Sequence, residues 1–286
     1  MCTCACSGRS KRMPEGQLAL NVRYVMRKIR TIVAKEWREV FKHRFVLFTV
    51  VFMPLMLTAI PLVILFTMQG SGDLAGLAQT DMPPRFTRLC EGLSSEACAQ
   101  YFLVSQFMLL FMLLPLAIPV TIASYSIVGE KTTRTLEPLL ATPIRTWELL
   151  VGKSAAAALP AIGATWLAFG VFVAGASIGA PGILVRLLDA LWLVAIFVVG
   201  PLLAVAAVCV AVMVSSRVNE PRAAEQITML MVIPLLGLFF GQISGLILVD
   251  RTLVLWMALG VGLLDVVLMA LAIQLFQRET ILTRWK

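Results

Sequence analysis

Charge is scarce in this chain of 286 residues: 14% are Asp, Glu, Lys or Arg, against about a quarter in an ordinary soluble domain. Histidine is scarcer still, with His43 alone. The first shortage excludes a conventional water-soluble enzyme. Because 59% of the residues are hydrophobic, it also excludes disorder, which needs the opposite balance. The 19 glycines and 14 prolines are too few for a collagen-like repeat. What remains is a chain whose solvent is lipid.

A bilayer core about 30 Å thick requires about 20 apolar residues per helix. Six runs satisfy this: 45–68, 101–128, 154–178, 191–214, 227–249 and 252–276, of which only the last carries a charge, Asp265. Membrane β-strands would be about 10 residues long and alternate in polarity. The fold class is therefore all-α and polytopic, with six spans. The connections between spans are charged asymmetrically. Residues 1–44, 129–153, 215–226 and 277–286 hold 20 of the 24 Lys and Arg residues. Basic residues near span ends resist translocation, so both termini and these two connections are expected in the cytoplasm. The formal charge of +8 then reads as topology and attraction to anionic lipid, with no nucleic-acid partner.

No ordinary cleavable secretory signal is expected ahead of the first apolar run, which begins only at residue 45 after a basic stretch. Residues 1–17 read as a disordered tip, or as an upstream extension of a chain starting at Met13. Cys2, Cys4 and Cys6 fall in that tip and lack the fourth ligand of a thiolate metal site. Cys90 and Cys98 share the first outer loop, 69–100, where a disulfide and a pair of free thiols are both open readings. Cys209 is a small apolar residue of span four.

Residues 18–44 form an amphipathic segment. Val22, Val25, Met26, Ile29, Ile32, Val33, Trp37, Val40 and Phe41 recur at three- and four-residue steps, interleaved with Arg23, Arg27, Lys28, Arg30, Lys35 and Arg38. That pattern suits a helix lying in the headgroup layer or packing on a partner. In the connection 129–153, Thr135 caps a short helix carrying Leu136, Glu137 and Pro138 in its first turn, with Leu136, Leu139 and Leu140 on one face. Thr142-Pro143 repeats the start signal and sets a rigid corner ahead of Trp147. A leucine-faced helix fixed to two spans has the shape of a lever docking in another protein's groove; an ordinary interfacial loop is the plain alternative.

Glu130-Lys131, Thr135-Leu136-Glu137, Leu139-Leu140, Thr142-Pro143, Glu148-Leu149 and Gly152-Lys153 together resemble the signature of ABC type-2 transporter permeases. So do Lys35-Glu36 before span one and the basic tail 277–286. The chain is most similar to sodium-efflux (Nat-type) and related multidrug permeases. It departs from them at Arg134, where the family commonly has glycine. The resemblance implies a coupling segment, 129–153, in which Glu130, Thr135, Leu136, Glu137, Leu139, Leu140, Pro143 and Lys153 transmit movement from a cytoplasmic ABC ATPase dimer. It further implies a second permease protomer, ATP and Mg bound by the ATPase, and no cofactor or catalytic residue on this chain. The membrane would be the plasma (inner) membrane, and the direction export.

Two engines within the chain are excluded. Gly152-Lys153-Ser154 imitates the end of a phosphate-binding loop, but the first glycine such a loop requires is replaced by Trp147 and no strand precedes it. An intramembrane protease needs two His, a Ser–His pair or two Asp, and the spans hold no His and one Asp. That Asp265, costly in lipid at about 2.5–3.5 kcal/mol on insertion scales, reads either as a cation or proton site or as a hydrogen-bonded fastening to a neighbouring span. Gly237, Gly241 and Gly245, at four-residue steps beside Phe239, Phe240 and Gln242, suggest close backbone approach, either at a dimer interface and substrate route or within one protomer. Gly175 and Gly179 make one further step. Prolines 54, 61, 115, 119 and 234 mark sites of bending. An ion-coupled carrier using Asp265 and a non-transporting scaffold are the rival readings.

Overall fold

A computed structural model describes residues 15–70, 92, 94–132 and 146–275. The tip 1–14, most of the loop around Cys90, residues 133–145 and the tail from 276 lie outside the described residues. Helix α1 spans Glu15–Val40 and α2 spans Arg44–Gly70. α3 (Ser95–Phe111) and α4 (Leu114–Thr132) follow, then α5 (Thr146–Gly179). After turns at 181–189, Ala190–Val194 and a π-helical turn Ala195–Val199 lead into α6 (Gly200–Arg217). α7 (Pro221–Thr228), a 3₁₀ turn Met229–Val232 and α8 (Ile233–Ile243) form one crossing, and α9 (Arg251–Leu275) the last. No strand occurs among the described residues.

Six stretches are long and apolar enough to cross a membrane: Arg44–Met68, Ser95–Glu130, Trp147–Gly179, Ala190–Arg217, Pro221–Ile243 and Arg251–Leu275. The second is the axis of the bundle. Within its most apolar 18 residues, 83% are buried, against 11% for the first and the sixth and 17% for the fifth. α4, α5 and α6 pack on one another, with α2 laid on α5 and α9 on α6. Phe111 and Phe172, both fully buried, tilt together at 5.6 Å between spans two and three. In lipid such contacts stabilise through close packing, because hydrocarbon tails leave no apolar driving force between helices.

Three crossings are not continuous. Span two, expected as one helix over 101–128, breaks at Met112–Leu113, where the chain tightens to three-residue steps: Met112 N–H donates to Leu109 O and Leu113 N–H to Leu110 O. Pro115 follows immediately; it lacks an N–H and its ring crowds the preceding turn. The π turn of span four stands just before Pro201 and the 3₁₀ turn of span five just before Pro234. Pro54, Pro61, Pro119 and Pro160 sit inside unbroken helices.

Span five also ends earlier than the apolar run 227–249. α8 stops at Ile243; Ser244 N–H donates to Phe240 O, Gly245 turns at φ 70°, and Ile247 N–H donates back to Gly241 O at 3.0 Å. A left-handed residue past the last helical turn is a usual helix stop, and glycine adopts it without steric cost. The run of apolar residues concealed this stop because it continues through Leu246, Ile247, Leu248 and Val249.

Candidate functional site

The densest cluster of charge lies at the end of the bundle where α1 crosses the last turns of α4 and the first turns of α5, the two flanks of segment 133–145. α1 meets them with one face. Ile32 sits so close to Gly152 that a Cβ there would lie 2.9 Å from Ile32 Cγ2, and Trp37 Nε1 donates to Ala156 O at 2.9 Å. Four residues after Ile32, hence on the same side of the helix, Glu36 is carried inward.

Lys153 is the centre. Its ammonium donates to Glu36 Oε1 at 2.9 Å and to Ser126 Oγ at 3.1 Å, and forms an ion pair with Glu130 Oε2 at 2.7 Å. Ser126 Oγ donates to the other oxygen of Glu36. Lys35 stands 3.3 Å from Glu130 Oε1 and 3.8 Å from Glu39, and Lys28 lies 3.4 Å from Glu148. Glu36, Glu130, Glu148 and Lys153 are all buried. Three elements far apart in sequence are thereby tied into one charged knot.

Burial by itself would raise the Glu36 carboxyl, but the attraction of Lys153, the Ser126 hydroxyl and Lys35 outweighs it and holds the group below its usual range. For Lys35, burial pulls the ammonium down, while Glu130, Glu39 and Glu36 pull harder the other way and leave it raised. Both groups are therefore charged at neutral pH. A buried ion cluster is not in itself a large net stabiliser, since desolvation offsets much of the attraction; removing one partner, however, typically costs about 3–5 kcal/mol because a charge is left buried and unpaired. The knot is thus expensive to break halfway. A second tie joins the same part of α4 to α7, where Thr121 Oγ1 donates to Glu225 Oε1 at 2.6 Å.

Of the residues expected to transmit movement, Glu130 and Lys153 come together directly. Thr135, Leu136, Glu137, Leu139, Leu140 and Pro143 lie outside the described residues. Lys153, which completes the imitation of a phosphate loop, is held by Glu36, Ser126 and Glu130 of this chain. Ser126, Lys28 and Trp37 went unnoticed as partners in the sequence. Glu36 offered one signal: a carboxylate in helical register with Ile29 and Ile32, on the face that should be apolar.

The glycines do not form one stripe. Gly237 and Gly241 are on α8, while Gly245 is beyond its end. A Cβ at Gly241 would meet Ile247 of the same chain at 2.9 Å, whereas one at Gly237 would meet nothing within 4 Å. Gly175 and Gly179 face span one, where Cβ atoms would lie 2.5 Å from Leu62 and 3.2 Å from Phe66. On α8, Phe240 is exposed and Gln242 is buried. Asp265 is buried in α9, and neither carboxyl oxygen has a hydrogen-bond partner among the described residues. Cys98 is disulfide-bonded, and Cys90 lies outside the described residues. No group of three or more His, Cys, Asp or Glu side chains suited to a metal ion occurs among the described residues.

None of the curated proteins compared with this chain matches it. A protein-family model described as "ABC-2 family transporter protein" matches residues 30–251, a stretch that includes the charged knot, segment 133–145 and five of the six crossings.

Proposed function

Because the chain belongs to the ABC-2 transporter family, as a multi-pass membrane permease component, we propose that it is the membrane-spanning subunit of an exporter whose motor is a separate cytoplasmic ABC ATPase dimer. In this reading two permease protomers, identical or not, alternate between inward- and outward-facing states and move substrate out of the cell across the plasma membrane. ATP and Mg belong to the motor. This chain contributes no reacting group.

The observation that carries the reading is the knot around Lys153. Segment 133–145, which holds Leu136, Leu139 and Leu140, follows span two just past Glu130 and precedes span three just before Lys153. Both flanks are tied to α1 through Glu36 and Lys35. A push on the segment is then delivered to two crossings and α1 together, rather than absorbed by one helix end slipping past the other. The excess of basic residues on this end supports a cytoplasmic side for it, where an ATPase would reach it.

The test is a reconstituted permease–ATPase complex. Leu136→Asp should reduce binding of the ATPase, and Lys153→Met should leave ATP hydrolysis near normal while transport drops at least tenfold. Full transport by Lys153→Met, in protein shown to be inserted, would defeat the coupling role. A second reading, an ion-coupled carrier, is favoured by one observation, the unpartnered Asp265. It requires uphill transport by this chain alone under a pH or sodium gradient, lost in Asp265→Asn.

A further inference from the structure

Span one meets span three unevenly. Far from α1 the two helices are tight, with Leu62 seated on Gly175 and Phe66 on Gly179. At the α1 end, Trp37 is bonded to Ala156 O. Between these contacts, from Val50 to Leu62 on α2 and from Gly163 to Val171 on α5, lies a fissure of about 530 Å³. Small side chains leave it open: α5 presents Gly163, Ala164 and Ala168 where α2 presents Pro54, Thr58 and Ala59. Even a Cβ at Gly163 would meet nothing within 4 Å. The lining is apolar, and its one hydroxyl, that of Thr58, donates to Pro54 O at 2.7 Å.

The dimensions decide what fits. From Val50 to Leu62 the helix rises about 18 Å, slightly more than the roughly 15 Å of hydrocarbon in one leaflet. Spread over that length, the volume gives a channel about 6 Å wide. An α-helix with its side chains is about 10–12 Å across and does not enter. A single file of methylenes, as in an extended acyl chain, does.

The fissure also has a charged foot. Seven residues make about two turns, so Arg44 stands below Val51 on the same side of α2, about 10 Å away along the axis. Lys42 adjoins it in sequence, and Arg38 lies in the last turn of α1. All three are exposed, and none forms an ion pair among the described residues. The one acidic residue among them in sequence, Glu39, stands 3.8 Å from Lys35. The opposite end of the fissure is closed by Leu62 and Phe66 and carries no charge. Basic residues beside a membrane attract anionic headgroups, and here they stand at the open end of a slot one acyl chain wide.

We propose that the fissure between α2 and α5 is a site for one anionic phospholipid, with its phosphate on Arg38, Lys42 and Arg44 and one acyl chain lying from Val50 towards Leu62. The site needs neither a motor nor a transported solute, so it goes beyond the reading above and stands or falls apart from it. Filled, it braces against span three a helix that is only 11% buried.

The experiment places the full chain in phosphatidylcholine nanodiscs containing a trace of phosphatidylglycerol with a diazirine in one acyl chain, or of the phosphatidylcholine with the same chain. The phosphatidylglycerol probe should label peptides spanning 50–62 or 163–171 saturably, at least fivefold more than its counterpart, and unlabelled phosphatidylglycerol should displace it. Each basic residue near the surface accounts for about a fivefold preference, so Lys42→Gln combined with Arg44→Gln should bring the two probes level. Both positions are exposed, so this variant tests binding and leaves the core intact. Ala164→Trp, which fills the fissure, should remove the saturable label. Equal labelling by the two probes, or an undiminished preference in the double variant, would overturn the site. So would saturable labelling that survives Ala164→Trp in inserted protein. A spontaneous disulfide between two copies through Leu55→Cys would overturn it as well, since a second protomer would then cover the fissure.

Discussion

Two polar clusters lie inside this bundle, one at each end of span two, and they are built in opposite ways. At the end covered by α1, Lys153 is held by two carboxylates and a hydroxyl, and the acidic residues around it share two lysines and that hydroxyl. Near the other end, Gln106 uses neither its donor nor its acceptor, and Gln242 only half of its amide. The first cluster is charged and tied by ion pairs within the chain; the second is neutral, with three amide atoms that have no hydrogen-bond partner among the described residues. A fully satisfied buried network specifies one arrangement of its helices, whereas a partly satisfied one is a standing cost. The difference separates a part suited to transmitting force without yielding from a part that carries such a cost.

Substitutions at the two ends should therefore move stability in opposite directions. The largest effect is expected from Lys153→Met, which strands Glu36 and Glu130 in a buried site; unfolding in detergent should show a loss of about 3–5 kcal/mol. Adding Glu36→Gln to Lys153→Met should recover part of that loss, and additive losses would show that the two side chains are not one unit. At the neutral cluster, Gln106→Leu should instead stabilise the inserted protein, by about 1–3 kcal/mol, because an unpaired buried amide is replaced by a side chain without polar atoms. A destabilised Gln106→Leu would mean that the amide is already satisfied and would erase the contrast.

Between these in kind is a packing change, Gly175→Val, which drives a side chain into Leu62 of span one. It should cost about 1–3 kcal/mol, while Gly237→Ala, with open space around it, should be nearly silent. The charged cluster also predicts a pH window. Glu36, held below its ordinary 4.5, contributes stability that is present above that value and is lost as the pH falls through its lowered pKa. Lys35, held above its ordinary 10.5, contributes stability that is present below that value and is lost as the pH rises through its raised one. Thermal unfolding should be flat between about pH 5 and 10 for this contribution and decline at both extremes. Among the charged residues, the smallest effect is that of Lys35→Gln. Its side chain is 45% exposed, and a solvent-screened pair of this sort is worth at most about 1 kcal/mol.

The crossings were legible because the physics that sets them is local and coarse: a bilayer demands about 20 apolar residues, and six runs provide them. Their interruptions were not. Prolines 115, 201 and 234 follow breaks while 54, 61, 119 and 160 do not, so the residue type alone does not decide. The charged knot was half legible. Glu130 and Lys153 stood out at the edges of the connection, but Glu36 lies 90 residues from Ser126 and 117 from Lys153, beyond any pattern a helical repeat can show. The glycine stripe misled for a related reason. The four-residue spacing continues through Gly245 although the helix does not, because Leu246 to Val249 keep the composition apolar past the point where α8 stops.

The interruptions carry a mechanical consequence. Spans two, four and five each possess a ready-made knuckle beside a proline, with backbone bonds already rearranged to three- or five-residue steps, so swivelling there disrupts little that was regular beforehand. Spans one, three and six are single rods that have to travel whole. Any rocking of this molecule in its bilayer would then resemble jointed fingers working against stiff splints, with spans two, four and five flexing where their knuckles already lie.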